Sequence, residues 1–368
     1  LHEYGATVIG VYNNTKIADV LYDTYKCDVS NEEEVKSMCI DSNEYHKCDI
    51  LSQEYKNFIN KIASNVDDEK SFCMKYPNCQ EYAIESHIFQ EKRILVPIAP
   101  NNVLYMFKYR PIYFDDKIYY KNVKTRHCLT FNGFCKEHDD KLFAPIEKHN
   151  NIDWNSVEAQ YLLAYKCICR DLFEKIKDKT CLTKMIAYTR GPIVEKYQSM
   201  RNERTNSIKH IIKYKNIIEN GVYNKDYQYS FTTIKLPFQI DLCLSSPITI
   251  NYKWSYSFTL DRYELNIINI FPYKGETIII LGFDKSFKNI WLNQIINKLQ
   301  SNDNVKISEA LQDILFRSDC HCFSEKLYNA IASKLDVFIN EWFENRYNYN
   351  LDLEYESNLF IDYIASIR

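Results

Sequence analysis

The chain has 368 residues, more than one compact core usually holds, so two or three cooperating modules are expected. At 46% hydrophobic and 15% aromatic it carries ample material for a core and is no disordered chain. The formal net charge of −3 gives no global pull toward nucleic acid, so any such binding has to come from a local patch.

No run approaches the roughly 18 apolar residues of a membrane span, and the first residues lack the pattern of a signal peptide. The sequence opens at Leu1 inside an apolar stretch, which predicts further residues upstream. Thirteen cysteines, an odd count in a large chain, point to reduced thiols and a cytoplasmic protein rather than a disulfide framework. Cys167, Cys169, Cys181 and Cys243 sit in apolar surroundings and are expected in the core.

In chain order, residues 1–70 read as a mixed segment, with a strand at Ala6–Tyr12 and helices at Glu32–Cys39 and Glu54–Ala63. Residues 71–150 gather Cys and His among short strand-like runs. A helical connector fills 151–224. Its first helix spans Asn155–Lys177, with Asn155 and Glu158 spaced as a capping box, and its second spans Ile193–Asn220, with Gly221 at the position of a left-handed cap. At 225–289 the period changes. Ile248, Ile250, Tyr252, Trp254, Tyr256 and Phe258 alternate as a half-buried strand does, and Tyr229–Leu236, Glu264–Phe271 and Glu276–Phe283 supply neighbours. An antiparallel sheet of about four strands follows from these. Residues 290–368 return to helix at Ile290–Leu299, Ser308–Phe316 and Phe323–Asn345. The class is α+β.

The chemistry-bearing residues concentrate at 71–150. Cys73 and Cys79 flank a turn at Pro77-Asn78, and Cys135 and His138 form a second pair with a two-residue gap behind Gly133, whose backbone permits a tight turn. Zinc takes about four thiolate or imidazole ligands in a tetrahedron, so two such pairs make a structural Zn²⁺ site. Between them lies Ala83-Ile84-Glu85-Ser86-His87. Asp319-Cys320-His321-Cys322 also carries ligand types, but its alternating thiols converge only on an extended backbone, and helices are predicted beside it. No phosphate-cradling P-loop, G-x-G-x-x-G or G-x-S-x-G occurs, which argues against nucleotide-dependent chemistry.

Residues 92–126 carry eight Lys and Arg against two Asp. Lys92, Arg93, Lys108, Arg110, Lys121, Lys124 and Arg126 lie among Tyr105, Phe107, Tyr109, Tyr113, Phe114, Tyr119 and Tyr120. Two readings fit: cations on phosphates with aromatic faces on bases, or a twisted hairpin with its aromatics inward and its lysines outward. The basic run at 196–215 has acidic residues interspersed and reads as a solvated helix face.

The stretch 71–148 resembles the HNH or treble-clef group of zinc-supported ββα-metal modules. It is also similar to bacterial proteins that share Cys73, Cys79, Ala83-Ile84-Glu85-Ser86-His87 and Gly133-Phe134-Cys135-Lys-Glu-His138-Asp139-Asp140-Lys141-Leu142-Phe143-Ala-Pro-Ile146-Glu147. The resemblance implies a metal-dependent endonuclease acting on nucleic acid, DNA in the first place, in microbial antiviral defence. His87 would be the general base, Asn102 or Asn101 its orienting partner, and Asp139 or Asp140 the holder of a catalytic Mg²⁺ or Mn²⁺. The sequence departs from that pattern. His87 and Cys135 are 48 residues apart, which requires an insertion, Ser86 replaces the acidic neighbour of the base, and His138 takes the place of a thiol. Either His87 or His138 then completes the zinc site. The alternative is a non-catalytic protein in which zinc staples a small module while the C-terminal half binds a protein partner.

Overall fold

The computed structural model describes residues 53–75, 78–108, 119–149, 151–189, 191, 193–250, 256–257, 262–345 and 358–368. The strand and helix expected before residue 52, and Tyr252, Trp254 and Phe258 of the alternating run, lie outside them.

The chain is mixed helix and antiparallel sheet. Its elements are α1 (Gln53–Asp67), β1 (Ile84–His87), β2 (Val103–Lys108), β3 (Tyr119–Lys124), β4 (Thr130–Phe134), α2 (Lys136–Leu142) and α3 (Ala144–Glu147). Two 32-residue helices follow, α4 (Val157–Tyr188) and α5 (Ile193–Asn224). Then come β5 (Tyr229–Leu236), β6 (Leu242–Ile248), β7 (Tyr256–Ser257), β8 (Arg262–Tyr263), β9 (Asn266–Tyr273) and β10 (Glu276–Asp284). The remainder is α6 (Ile290–Gln300), α7 (Asn304–Phe316), β11 (His321–Phe323), α8 (Glu325–Asn345) and α9 (Ile361–Ile367).

The chain divides into two compact units. In the smaller, α1 packs Ile62, Ala63 and Val66 against Cys181, Leu182, Met185 and Tyr197. Ion pairs Lys177–Asp67 (2.9 Å) and Arg204–Asp178 (3.0 Å) edge that cluster.

The larger unit is built on a seven-stranded antiparallel sheet, in the order β3-β2-β11-β6-β9-β10-β5. The expectation was about four strands. The other three are the β2–β3 hairpin from the basic insert and the short β11, which bridges that hairpin to β6 by pairing Cys322 with both Met106 and Cys243. Between α7 and α8 the segment is thus extended: Asp319 stays exposed, while His321–Phe323 is buried and paired on both edges in the sheet.

Strands β9 and β10 are buried on both faces, so their sequences run continuously apolar rather than alternating. A two-residue turn joins them, with Lys274 and Gly275 at φ 55° and 84°, the geometry whose twist matches a hairpin. Of the alternating run, the described Ile248 ends β6 and Tyr256 lies in β7. The sheet takes Leu242–Ile248, whose Cys243, Ser245 and Ser246 are all buried, so alternation of polarity is lost there.

Helices α6–α9 cover one face of the sheet with Trp291, Leu292, Ile295, Leu311, Ile314 and Phe338 among the core side chains. Residues 157–173 of α4 lie on the opposite face, where the ring of Tyr161 meets Phe231. The α4 N-terminus is capped by Ser156, whose hydroxyl accepts from Ala159 N (3.3 Å), not by the expected Asn155. Nor does Gly221 close α5, which continues to Asn224. A Cβ on Gly221 would stand 1.9 Å from Tyr161 Cε1, so the glycine serves helix crossing, and the left-handed residue is Lys225 (φ 60°).

Candidate metal centre and the His87 strand

β1 pairs antiparallel with β4 in a separate two-stranded sheet, Glu85 opposite Asn132 and His87 opposite Thr130, and α2 follows directly. Between the two strands the chain leaves to form the β2–β3 hairpin of the main sheet, which accounts for the long gap between His87 and Cys135. The segment carrying Cys73 is laced onto this pair: Cys73 N donates to Glu81 O (2.9 Å) and Met74 N to Gly133 O (2.7 Å). Gly133 makes no tight turn. It lies within β4, and a Cβ there would stand 2.0 Å from the Phe131 ring, so its function is close approach.

Cys135 forms the N-cap of α2 and His138 lies in its first turn, so the two ligands stand on one helical face three residues apart. Together with Cys73 and Cys79 they place four ligand atoms within 4.8 Å of one another. His138 Nδ1 is 3.2 Å from Cys135 Sγ and 3.5 Å from Cys73 Sγ, and Cys79 Sγ is 3.9 Å from Cys135 Sγ. With Zn–S about 2.3 Å and Zn–N about 2.0 Å, a tetrahedron has S···S edges of about 3.8 Å and S···N edges of about 3.5 Å. The set fits zinc, and it is His138, not His87, that joins the thiols. Cys73 and Cys135 are buried and Cys79 half-buried. Burial pushes the Cys73 thiol up to about 11, so without metal this thiol keeps its proton and a binding zinc ion has to displace it. Lys75, between the first two thiols, pairs with Glu219 of α5, tying the ligand loop to the larger unit.

The His87 neighbourhood is polar but closed on one side. His87 Nε2 lies 3.0 Å from the Thr125 carbonyl. A carbonyl only accepts, so Nε2 carries the proton and Nδ1 of the neutral ring is left as the acceptor. Asn102 is exposed at the start of β2 with φ 53°, and its carbonyl accepts from Thr125 N (3.0 Å), so it contacts the same turn through backbone.

Asp139 does not face a vacant cation position. The ammonium of Lys166, a fully buried residue of α4, lies 3.7 Å from Asp139 Oδ1 and 2.8 Å from the His87 carbonyl, and pairs with Glu147. It also sits over the Phe143 ring at 4.3 Å. One ammonium stands against two carboxylates, so it offsets only part of their charge, and Asp139 Oδ1 is buried with no hydrogen-bond donor. Asp140 is exposed, 3.9 Å from Lys148. Lys166 carried no signal in the sequence beyond being a lone Lys in an apolar helical run, Leu162 to Cys169.

Of the basic residues, Lys92, Lys108, Lys121, Lys124 and Arg126 are exposed, and Arg93 is half-buried with its guanidinium on the carbonyls of Lys148 and His149. Arg110 lies outside the described residues. The aromatics beside them turn inward: Tyr105 stacks on Tyr328, and Phe107 and Tyr120 pack with His321. The hairpin reading holds for these three rings, which are not free to stack on bases. His321 itself is buried with Tyr120 Oη on its Nε2 (2.9 Å), and burial holds its pKa down to about 3, so it is a neutral core group.

Compared with known protein families, curated proteins and solved structures, the chain matches none. The link to zinc modules therefore rests on the Cys₃His cluster and the β1–β4–α2 arrangement. Among the described residues no helix is long and apolar enough to cross a membrane.

Proposed function

We propose that this chain acts on nucleic acid, with a structural zinc holding β1, β4 and α2 together and His87 carrying protons in cleavage of a phosphodiester. The observation behind this reading is the hydrogen bond from His87 Nε2 to the Thr125 carbonyl, which fixes the tautomer and leaves Nδ1 as the nitrogen that exchanges a proton. Cys73, Cys79, Cys135 and His138 would hold the zinc, which supplies folding energy and no chemistry. The exposed Lys108, Lys121, Lys124 and Arg126 would meet phosphates.

Metal content and strand cleavage of the zinc-loaded protein, wild type against His87→Ala and Cys135→Ala, test the reading. About one zinc per chain, kept in His87→Ala and lost in Cys135→Ala, with cleavage lost in both, is the expected result. Full cleavage by His87→Ala removes the chemistry from this strand.

A second reading has its own observation. The Lys166 ammonium is set against the carboxylates that a metal-dependent nuclease would keep for its cation, and this favours a zinc-stapled, non-catalytic component that binds a protein partner through its C-terminal half. Under it, zinc content behaves as above and no oligonucleotide is cut in any metal.

A further inference from the structure

One cluster beside His87 belongs neither to the zinc site nor to the Lys166 network. Glu85 and His87 stand two residues apart on β1, so their side chains project from the same face. The Glu85 carboxylate receives His127 Nδ1 at 3.0 Å and the Thr130 hydroxyl at 2.8 Å. Partial burial pushes Glu85 up, but these two hydrogen bonds and the neighbouring His127 and His87 outweigh it and hold the carboxyl below its ordinary range. His127 ends the short turn Thr125–His127, whose first residue supplies the carbonyl that holds His87. Both imidazoles are thus fixed to one turn, with Glu85 between them. Leu129, two residues on, is buried at φ 53°, a costly conformation for a leucine and one that the surrounding structure has to enforce.

The two rings are set in complementary ways. Because Glu85 accepts at Nδ1, the neutral His127 ring has its lone pair on Nε2. That lone pair is covered by the Nε–H of Arg126 at 3.0 Å. Arg126 is exposed, and a phosphate is a stronger partner for a guanidinium than a neutral imidazole, so an arriving phosphodiester draws Arg126 off and uncovers His127 Nε2. His87, with Nε2 on a carbonyl, exchanges its second proton at Nδ1.

We infer that His127 and His87 form an acid–base pair for cleaving RNA without a catalytic metal. The proposal rests on His87 as a proton carrier and adds the partner and the substrate class. With the Lys166 ammonium already set against Asp139 and Glu147, the nucleophile is taken from the substrate itself, the ribose 2′-hydroxyl, which is why the strand has to be RNA. His127 Nε2 takes the proton of the ribose 2′-hydroxyl, O2′ bonds to phosphorus, the P–O5′ bond breaks, and O5′ takes a proton from Nδ1 of His87, which enters this step as the imidazolium with both ring nitrogens protonated. The products are a 2′,3′-cyclic phosphodiester and a 5′-hydroxyl end. Glu85 is a positioning residue that orients His127 and supports its positive charge.

The test uses the zinc-loaded full chain with a labelled RNA oligonucleotide, the same sequence as DNA, and the RNA with one 2′-O-methyl group, each first without and then with added Mg²⁺ or Mn²⁺. The RNA is expected to be cut to cyclic-phosphate ends, the DNA left whole, and the methylated linkage spared. His127→Gln and His87→Gln should each slow cleavage by about 100-fold or more with zinc content and circular dichroism unchanged. Glu85→Gln should shift the pH–rate profile, which a purely structural role would leave in place. Cleavage that needs Mg²⁺, includes DNA and survives His127→Gln overturns the pair while leaving the role of His87 standing. No cleavage of either strand under any of these conditions overturns both.

Discussion

Replacing Lys166 by Met should destabilise the protein severely while removing almost no volume. The ammonium is fully buried, 3.7 Å from Asp139, hydrogen-bonded to the His87 carbonyl at 2.8 Å and paired with Glu147. At an effective dielectric of about 20, two unit charges 3.7 Å apart interact by roughly 4 kcal/mol. Methionine leaves Asp139 and Glu147, 17% and 23% exposed, as like charges with no neutralising partner. Breaking such a pair from one side costs about 3–5 kcal/mol. With an unfolding slope of about 3 kcal/mol/M in urea, the midpoint should fall by about 1–1.7 M. Urea titration of the zinc-loaded protein followed by circular dichroism measures it. Adding Glu147→Gln removes one of the stranded charges and should recover a large part of the loss, because the penalty lies in the unmatched carboxylate and not in packing. A single variant that loses under about 1 kcal/mol, or a double variant no better than the single, would refute this account of the network.

Gly221→Ala should lower the melting temperature although alanine is worth about 1 kcal/mol to a helix. Its Cβ would stand 1.9 Å from Tyr161 Cε1, and that ring cannot swing away because its hydroxyl both donates to Tyr229 O (3.2 Å) and accepts from Tyr229 N (2.9 Å). A net loss of about 1–3 kcal/mol is expected, and a stabilised variant would contradict the crossing. Gly133→Ala should likewise reduce zinc retention against a competing chelator, since a Cβ would meet the Phe131 ring at 2.0 Å in the strand that leads to Cys135. His321 should set part of the acid limb. Its folded pKa of about 3 lies below the unfolded value near 6.5, so the unfolded chain binds the extra proton and stability falls as pH drops from about 6.5 toward 3. The slope from this one group is at most about 1.4 kcal/mol per pH unit. His321→Asn should flatten that limb of a stability-versus-pH curve, and an unchanged slope would mean that the ring is hydrated.

How far the sequence reached is clearest at particular residues. Strands β5 and β10 and helix α6 fell almost where the residue pattern put them, because apolar runs bounded by turn residues report burial directly. The four ligand residues were legible as well, since Cys and His at short spacings have few other reasons to cluster. What the pattern could not hold was anything decided by a neighbour distant in the chain. Gly221 reads as a helix end until Tyr161 arrives against it, and Gly133 reads as a turn until β1 pairs with β4 and makes it part of a strand. Cys320-His321-Cys322 reads as a possible ligand set until Met106 and Cys243 pair with it on either side.

The same division holds at the candidate site. Ligand chemistry is a property of side-chain type and spacing, so the sequence by itself determined that this chain is an α+β protein with a cluster suited to zinc. Which histidine completes that cluster, which carboxylates Lys166 pairs with, and that His127 stands beside His87 through Glu85 depend on contacts across 19 to 79 residues of chain. Only the packing of α4 and the Thr125–His127 turn against β1 decided those, because a charge or a lone pair takes its role from what lies within a few ångströms in space and not from what precedes it in the chain.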